Sequence, residues 1–432
     1  MALGLVAKIR GVRETVGIDV GHYSIKYVKV LHSASGERIV VDAALEKVRD
    51  GEIVNGEIQT REGGENPAPA ATEFNGKEYV KPKGEMDAKP NGENPATGSE
   101  QKKELPPKSL EDAMSALLAQ HPIGDSDVVV SVNAGAGVGG VLVDRLAVKV
   151  PKNGNESAII LQTAMARPPF DDQDNVLDYD VYSRENDELK VNVVAAKSGV
   201  LDSWARFFVR KDVRPVAMDV DIFGLVNSYV ATADSEDLKK TVALINIGEK
   251  KMSIAFIQDG VFHSMRPMTG GSLDIVVSNM CKNLGITAKK CHEVFEEGKL
   301  SIVDGFSEAE VEAALKISYD DLITQMDFGI RYFSSLEDAK NLETMLLIIK
   351  DFQKCDIFLL CVEKILLGGG GAAIPGLKEA VAEHFGLESE NVDTVNPFRL
   401  VECDKKVVGA KGISVALSNI YAPALGLAMR KF

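Results

Sequence analysis

Two stretches of the chain place apolar and polar positions around a glycine turn in the same way. Val16-Gly17-Ile18-Asp19-Val20-Gly21 is followed after three residues by Ile25-Lys26-Tyr27-Val28-Lys29-Val30. Leu244-Ile245-Asn246-Ile247-Gly248 is followed after three residues by Met252-Ser253-Ile254-Ala255-Phe256-Ile257. Both read as strand, turn, strand, and the second ends on the turn pair Asp259-Gly260. In each, an acid or its amide stands two residues before the turn glycine. The pattern predicts two related halves, each opening with the same hairpin.

Elsewhere the period is helical. Leu273, Val276, Val277, Met280 and Leu284 share one face of a helix that starts at Ser272. Leu377, Ala380, Val381, His384 and Phe385 repeat the pattern, and Gly386 stops that helix. On this face His384 reads as a core-edge histidine rather than a ligand. Trp204 falls in a helix expected over 200–209 and reads as packing. Strands interleaved with such helices predict an α/β fold.

Composition changes the picture in one place. Residues 62–107 hold seven of the chain's 16 prolines and six of its 38 glycines, with few large apolar side chains. Such a segment cannot bury enough surface to offset its ordering entropy, so it is expected to be a disordered insertion. Gly64-Glu65-Asn66-Pro67-Ala68 recurs there as Gly92-Glu93-Asn94-Pro95-Ala96. It serves either as a docking segment or as a tolerated surface loop. Near the start, Leu3, Leu5, Val6 and Ile9 interleave with Lys8, Arg10 and Arg13. That is a short basic amphipathic stretch or a frayed terminus.

Charge and cysteine narrow the classes. With 49 Lys and Arg against 64 Asp and Glu in 432 residues, the net charge is −15 and no basic block appears. That argues against nucleic acid as a partner. No apolar run is long enough to span a bilayer, and no signal-peptide pattern is present. The five cysteines are scattered, without metal-ligand spacing, as expected of reduced thiols in a cytoplasmic protein.

Three glycine turns carry the candidate chemistry. The first holds Asp19, Gly21, Ser24 and Lys26; the second holds Asn246 and Gly248; the third is Gly368, Gly369, Gly370 and Gly371, between an apolar strand and a helix expected at Pro375. Turns without side chains let backbone N–H groups approach a phosphate, and a helix start adds its dipole. An aspartate at the base of the first turn, Asp19, can hold Mg²⁺ through water. Each signal is weak alone; the three in this order are much stronger.

In that order they resemble phosphate 1, phosphate 2 and the adenosine motif of the actin and sugar kinase superfamily. Within it, the chain resembles the PilM family of type IV pilus assembly proteins, relatives of the division protein FtsA. The likeness runs through residues 16–30, 50–58, 127–132, 144–151, 168–170, 177–179, 193–197, 216–225, 367–377 and 395–398. It implies an actin-like, duplicated ribonuclease H-like α/β fold with two lobes and an inserted subdomain called 1C. The boundaries it implies are 1–142 for the first part of subdomain 1A, 143–198 for the 1C-like insert, 199–240 for the return to 1A, and 241–432 for the second lobe. It also implies ATP with Mg²⁺ in the cleft. A groove near 1A and 1C would take the cytoplasmic N-terminal tail of a PilN-like membrane protein. Other pilus inner-membrane and motor components would be further partners, at the cytoplasmic face of the inner membrane, and self-assembly stays open.

The departures bear on mechanism. Asn246 stands where the superfamily has an aspartate, and an amide cannot orient Mg²⁺-bound water by charge. Glu249, Lys250 and Lys251 follow the second turn glycine in place of Ser or Thr, and His22 and Tyr23 fill the first turn in place of small residues. The family's ribose contacts map to the stretch Cys291-His292-Glu293-Val294-Phe295, where no expected acid–base pair can be placed. The expectation is weak or absent hydrolysis, with the turns either binding nucleotide or only holding the fold. Three classes follow: a peptide-binding scaffold, an active ATPase or small-molecule kinase, and a filament-forming protein. The chain's last residues lack an FtsA-type linker and basic helix, which weighs against that role.

Overall fold

The computed structural model describes residues 12–59, 107–132, 140–268, 270–340, 362–399, 401–404, 407 and 415–430. Most of the expected insertion, residues 62–106, lies outside these residues, as does the amphipathic stretch at Leu3–Ile9. All elements below belong to one unit formed by Met1–Gln59 and Lys108–Phe432.

The first lobe begins with the antiparallel strands β1 (Arg13–Val20), β2 (Ser24–His32) and β3 (Arg38–Lys47). A short hairpin of β4 (Ile53–Val54) and β5 (Glu57–Ile58) follows. Helix α1 (Leu110–Gln120) is capped by the Ser109 hydroxyl, which accepts from the Asp112 N–H at 3.1 Å. Strand β6 (Asp127–Val132) then runs parallel to β1.

An insert interrupts the lobe. Strands β7 (Leu142–Lys149), β8 (Asn175–Glu185) and β9 (Glu188–Lys197) form a separate sheet in the order β7-β9-β8, with α2 (Glu156–Met165) against it. Its core is its own, built on Leu146, Ile160, Phe170 and Val193.

The chain returns through α3 (Ser198–Arg210), β10 (Ala217–Val220) and α4 (Asp221–Thr232). Trp204 is fully buried on α3, and its indole N–H donates to the Gly56 carbonyl at 2.7 Å. The packing role read from the sequence is the one it has.

The second lobe repeats the plan. Strands β11 (Val242–Ile247), β12 (Met252–Gln258) and β13 (Val261–Met268) are antiparallel. Helices α5 (Leu273–Leu284), α6 (Ala288–Glu297) and α7 (Glu308–Lys340) follow, then β14 (Lys364–Gly368), α8 (Leu377–Phe385) and β15 (Val392–Thr394). Gly386, at φ +63°, ends α8 as expected.

The sheet orders β3-β2-β1-β6-β10 and β13-β12-β11-β14-β15 are the same. In both, three antiparallel strands precede two parallel ones. The duplication expected from two hairpins therefore extends to whole lobes. The central strands β1 and β11 are covered on both faces, so all of β11 and β1 from Thr15 onward are buried, with Asp19 and Asn246 as the acid and amide near their ends.

Two expectations need correction. The second lobe does not run to the last residue. Strand β16 (Glu402–Cys403) pairs with β3, extending the first sheet, and helix α9 (Ala422–Ala428) packs on the first lobe. The boundary 241–432 is not kept, because strand pairing returns Glu402–Cys403 to β3 and packing returns Ala422–Ala428 to the first lobe. Nor does a helix start at the glycine run. A single 3₁₀ turn, Gly370–Ala373, follows β14, and α8 begins only at Leu377, after Gly376 at φ +77°.

Helix α9 reaches the first lobe by backbone contact. A Cβ on Gly17 of β1 would fall onto the Ala424 carbonyl oxygen, and one on Gly426 onto the Gly224 carbonyl oxygen of α4. A Cβ on Gly224 would come 2.6 Å from the Pro423 oxygen. Backbone cannot swing aside as a side-chain tip can, so Gly426→Ala should destabilise the protein by more than about 3 kcal/mol. Gly199→Ala on α3 meets only the Glu57 carboxylate tip at 3.4 Å and should be neutral or stabilising. Urea unfolding midpoints check the pair.

Candidate functional site

The two hairpin turns close with the same hydrogen bond. Gly21 N–H donates to the Ser24 carbonyl at 3.0 Å, and Gly248 N–H to the Lys251 carbonyl at 2.8 Å. Strand register explains what stands at their bases. Lys26 lies opposite Asp19 in the β1–β2 pair, and Ser253 lies opposite Asn246 in the β11–β12 pair. The second turn has therefore lost both members of the charge pair that the first retains.

Asp19 is 6% exposed and fully engaged. Its Oδ1 accepts from the Ser131 hydroxyl at 2.7 Å, and its Oδ2 pairs with Lys26 at 3.2 Å. Mg²⁺-bound water at Asp19 would share the carboxylate with Lys26 and the Ser131 hydroxyl. No cluster of three metal-ligating side chains occurs among the described residues.

The three turns meet at a cavity of about 290 Å³ between the lobes. Asp19, Gly21, Ser24, Lys26, Asn246, Gly248, Gly369 and Gly370 line it; Gly368 and Gly371 do not. Gly368 belongs to β14 and sits against Leu225, and a Cβ on Gly371 would strike the Ile247 side chain. Gly369 has φ +78°, and a Cβ there would come 2.5 Å from the Ile247 oxygen and 2.6 Å from Asn246 Oδ1. Its carbonyl accepts from Asn419 Nδ2 at 2.7 Å. The third turn is thus fixed by close approach to the second and by the C-terminal segment.

Asp221, Lys47, Glu296 and the 417–421 segment line the cleft without a signal in the sequence. Asp221, at the start of α4, takes Lys251 in an ion pair of 2.5 Å. Tyr23 and Lys47 meet Glu296 of α6. His292 lies 3.5 Å from Glu249. Leu417, Ile420 and Tyr421 add an apolar wall from the C-terminal segment. The stretch 291–295 had been singled out by its alignment with the ribose helix, and His292 and Phe295 do line the cavity. No sequence signal pointed to 417–421.

Every cleft lysine thus has a carboxylate beside it: Lys26 with Asp19, Lys47 with Glu296 and Lys251 with Asp221. Burial, then the charges of Lys251 and Lys250, lower the His22 pKa to about 4. Burial and the nearby Glu296 push the Tyr23 hydroxyl up to about 12.

A second cavity, of about 790 Å³, lies where the insert meets the first lobe and β13. Besides Arg38 of β3 and Asn192 and Val194 of β9, three strands border it: β8 through Asp178, Tyr179, Asp180 and Tyr182, β10 through Met218 and Asp219, and β13 through Val261 and Phe262. Strands β8, β10 and β13 are each the last strand on one side of their sheet. The floor holds Phe223 and Val230 of α4, with Met429 and Arg430 beyond α9. Arg430 pairs with Asp219 at 2.5 Å, while burial pushes the Asp219 carboxyl up.

Residues 359–432 match the family model described as type IV pilus assembly protein PilM. The matched residues include the third turn, the cleft wall and α9.

The PilM–PilN type IV pilus biogenesis complex contains a chain of the same fold, with a TM-score of 0.65 at 17% identity. That match covers 96% of this chain and 97% of the other. The fold is actin-like, and the repeated sheet order agrees with it. The ethanolamine utilization protein EutJ from Carboxydothermus hydrogenoformans matches more loosely, with a TM-score of 0.41, 9% identity, and 96% and 89% of the two chains covered. ADP-bound MreB5 of Spiroplasma citri is as distant, at 0.42, 10% identity, and 96% and 94% coverage. Neither overlay is close enough to bear on ligands. No curated protein matches the sequence. No helix among the described residues is long and apolar enough to cross a membrane.

The displaced His22 gives the cleft a pH signature. Folded His22 stays neutral down to about 4, whereas its ordinary pKa is 6.5. Between those values the unfolded chain binds more protons, so this contribution is complete above pH 6.5 and is lost as pH falls toward 4. The loss is at most about 3 kcal/mol. Melting temperatures of wild type and His22→Gln should accordingly converge between pH 7 and pH 5, with wild type falling faster.

Proposed function

We propose that this chain is the actin-like scaffold of a type IV pilus assembly machine, acting at the cytoplasmic face of the inner membrane. In this reading its groove holds the cytoplasmic N-terminal tail of a PilN-like membrane protein. The observation that carries it is the convergence of three sheet-edge strands, β8, β10 and β13, on one cavity floored by apolar side chains. An edge strand offers unpaired N–H and C=O groups, and an extended peptide can satisfy them while its side chains enter the groove. Val230 and Val261, 38% and 47% exposed, supply apolar contact there.

The cleft is assigned an ATP-class nucleotide as a structural ligand, with little or no turnover. The backbone of Gly21, Gly248, Gly369 and Gly370, with Ser24 and Lys26, would hold its phosphates. Bound nucleotide would supply negative charge and hydrogen-bond acceptors that bridge the turns. Asn246 has no charge with which to orient a hydrolytic water, and Asp19 is already engaged. These two facts weigh against the ATPase or kinase reading.

Titration of a synthetic peptide of the PilN-like tail into the full chain tests the groove. Binding should be tighter than about 100 µM, or about −5.5 kcal/mol. Val230→Arg, which places a bulky charge on the groove floor, should weaken it at least about tenfold. Absence of binding, or binding indifferent to Val230→Arg, would sink the reading. Phosphate release from Mg-ATP should stay at background in wild type.

A further inference from the structure

The residues that depart from the superfamily pattern in the two phosphate turns make contacts across the cleft. Tyr23, in the first turn, stacks on His292 of α6 with ring centroids 4.6 Å apart and planes at 23°. Its hydroxyl donates to Glu296 Oε1 at 3.2 Å, and Lys47 of β3 approaches the same carboxylate at 3.0 Å. Lys250, in the second turn, bridges Asp50 at 3.1 Å and Asp274 at 3.3 Å. Tyr23, Lys47 and Asp50 belong to the first lobe; His292, Glu296 and Lys250 belong to the second. A nucleotide clamp draws its lobes together through the ligand. Here aromatic and ionic contacts join them directly.

We propose that Tyr23, His292, Lys47 and Glu296 form a latch that holds the lobes closed without a ligand. A nucleotide then competes with this latch instead of creating the closed state. The proposal rests on the nucleotide reading of the cleft only for its binding arm. A single half-exposed ion pair contributes little, so the latch depends on combination. The Glu296 carboxylate takes two donors, and one of them also carries the stacked ring. Lys250 adds a second tie at the cleft mouth. A ligand that requires open lobes sees its apparent affinity reduced by the fraction of molecules that are open. Loosening the latch must therefore strengthen nucleotide binding, although Tyr23 and His292 both line the cavity. If these residues gripped the nucleotide themselves, their loss would weaken it.

Two readouts on the full chain test this: small-angle X-ray scattering without ligand, and calorimetric titration with Mg-ATP. Tyr23→Ala removes the stack and the hydroxyl. Glu296→Gln keeps the side chain's size and removes its charge, so a folding defect in the first variant does not leave the question open. Wild type should be compact alone and expand at saturating Mg-ATP, which displaces the latch. Both variants should expand without ligand and bind Mg-ATP about tenfold more tightly, a change worth about 1.4 kcal/mol. Wild type that compacts on adding Mg-ATP would overturn the latch, as would variants as compact as wild type or weaker in binding. If no form takes up Mg-ATP, the nucleotide reading fails, and ligand-free scattering alone decides the latch.

Discussion

The structure depends on one close approach, in which α9 lies against β1 and α4 with backbone touching backbone. Gly17, Gly224 and Gly426 make this possible, because a Cβ at any of them would collide with a carbonyl of the opposing element. The helix is buried along its whole length and completes the core of the first lobe. Its flanks reach both cavities. Ahead of it, Leu417, Ile420 and Tyr421 wall the cleft; behind it, Met429 and Arg430 enter the groove. A shift of α9 would therefore be felt at both sites, and the family match over residues 359–432 spans this segment.

Electrostatics separates the two cavities. In the cleft each lysine is answered by a carboxylate of the same chain, and low exposure makes the Lys26–Asp19 and Lys251–Asp221 pairs costly to break singly. The first turn keeps its Asp19–Lys26 pair, while the second holds the neutral Asn246 and Ser253 at the equivalent register. A neutral base of the turn fits the proposed reading of a cleft that would hold nucleotide with little turnover. The groove is different in kind: three strand edges and an apolar floor offer directional hydrogen bonding and contact area, which is what an extended peptide needs.

The local features were legible in the sequence. Alternation around Asp19-Val20-Gly21 and Asn246-Ile247-Gly248 gave both hairpins, and capping signals at Ser272 and Gly386 gave two helix ends. Eight of the ten proposed site residues do line one cavity, while Gly368 and Gly371 serve packing instead. What could not be read is long-range. Helix α9 is apolar throughout because it is enclosed on all sides, so it shows no 3.6-residue period and nothing in it announces a return to the first lobe. Tyr23 meets residues 269 and 273 positions away, His292 and Glu296, and no spacing rule reaches that far. The glycine run suggested a helix start, but close packing of Gly369 on Ile247 imposes a 3₁₀ turn first.

The central claim is that the groove bordered by β8, β10 and β13 receives an extended partner segment. Hydrogen exchange of the full chain, with and without the PilN-like tail peptide, tests it most directly. New protection confined to residues 175–185, 217–220 and 261–268 is the predicted result, since added strand pairing slows exchange at those edges. Protection confined to the turns at 19–26 and 246–251, or none at saturating peptide, would contradict it.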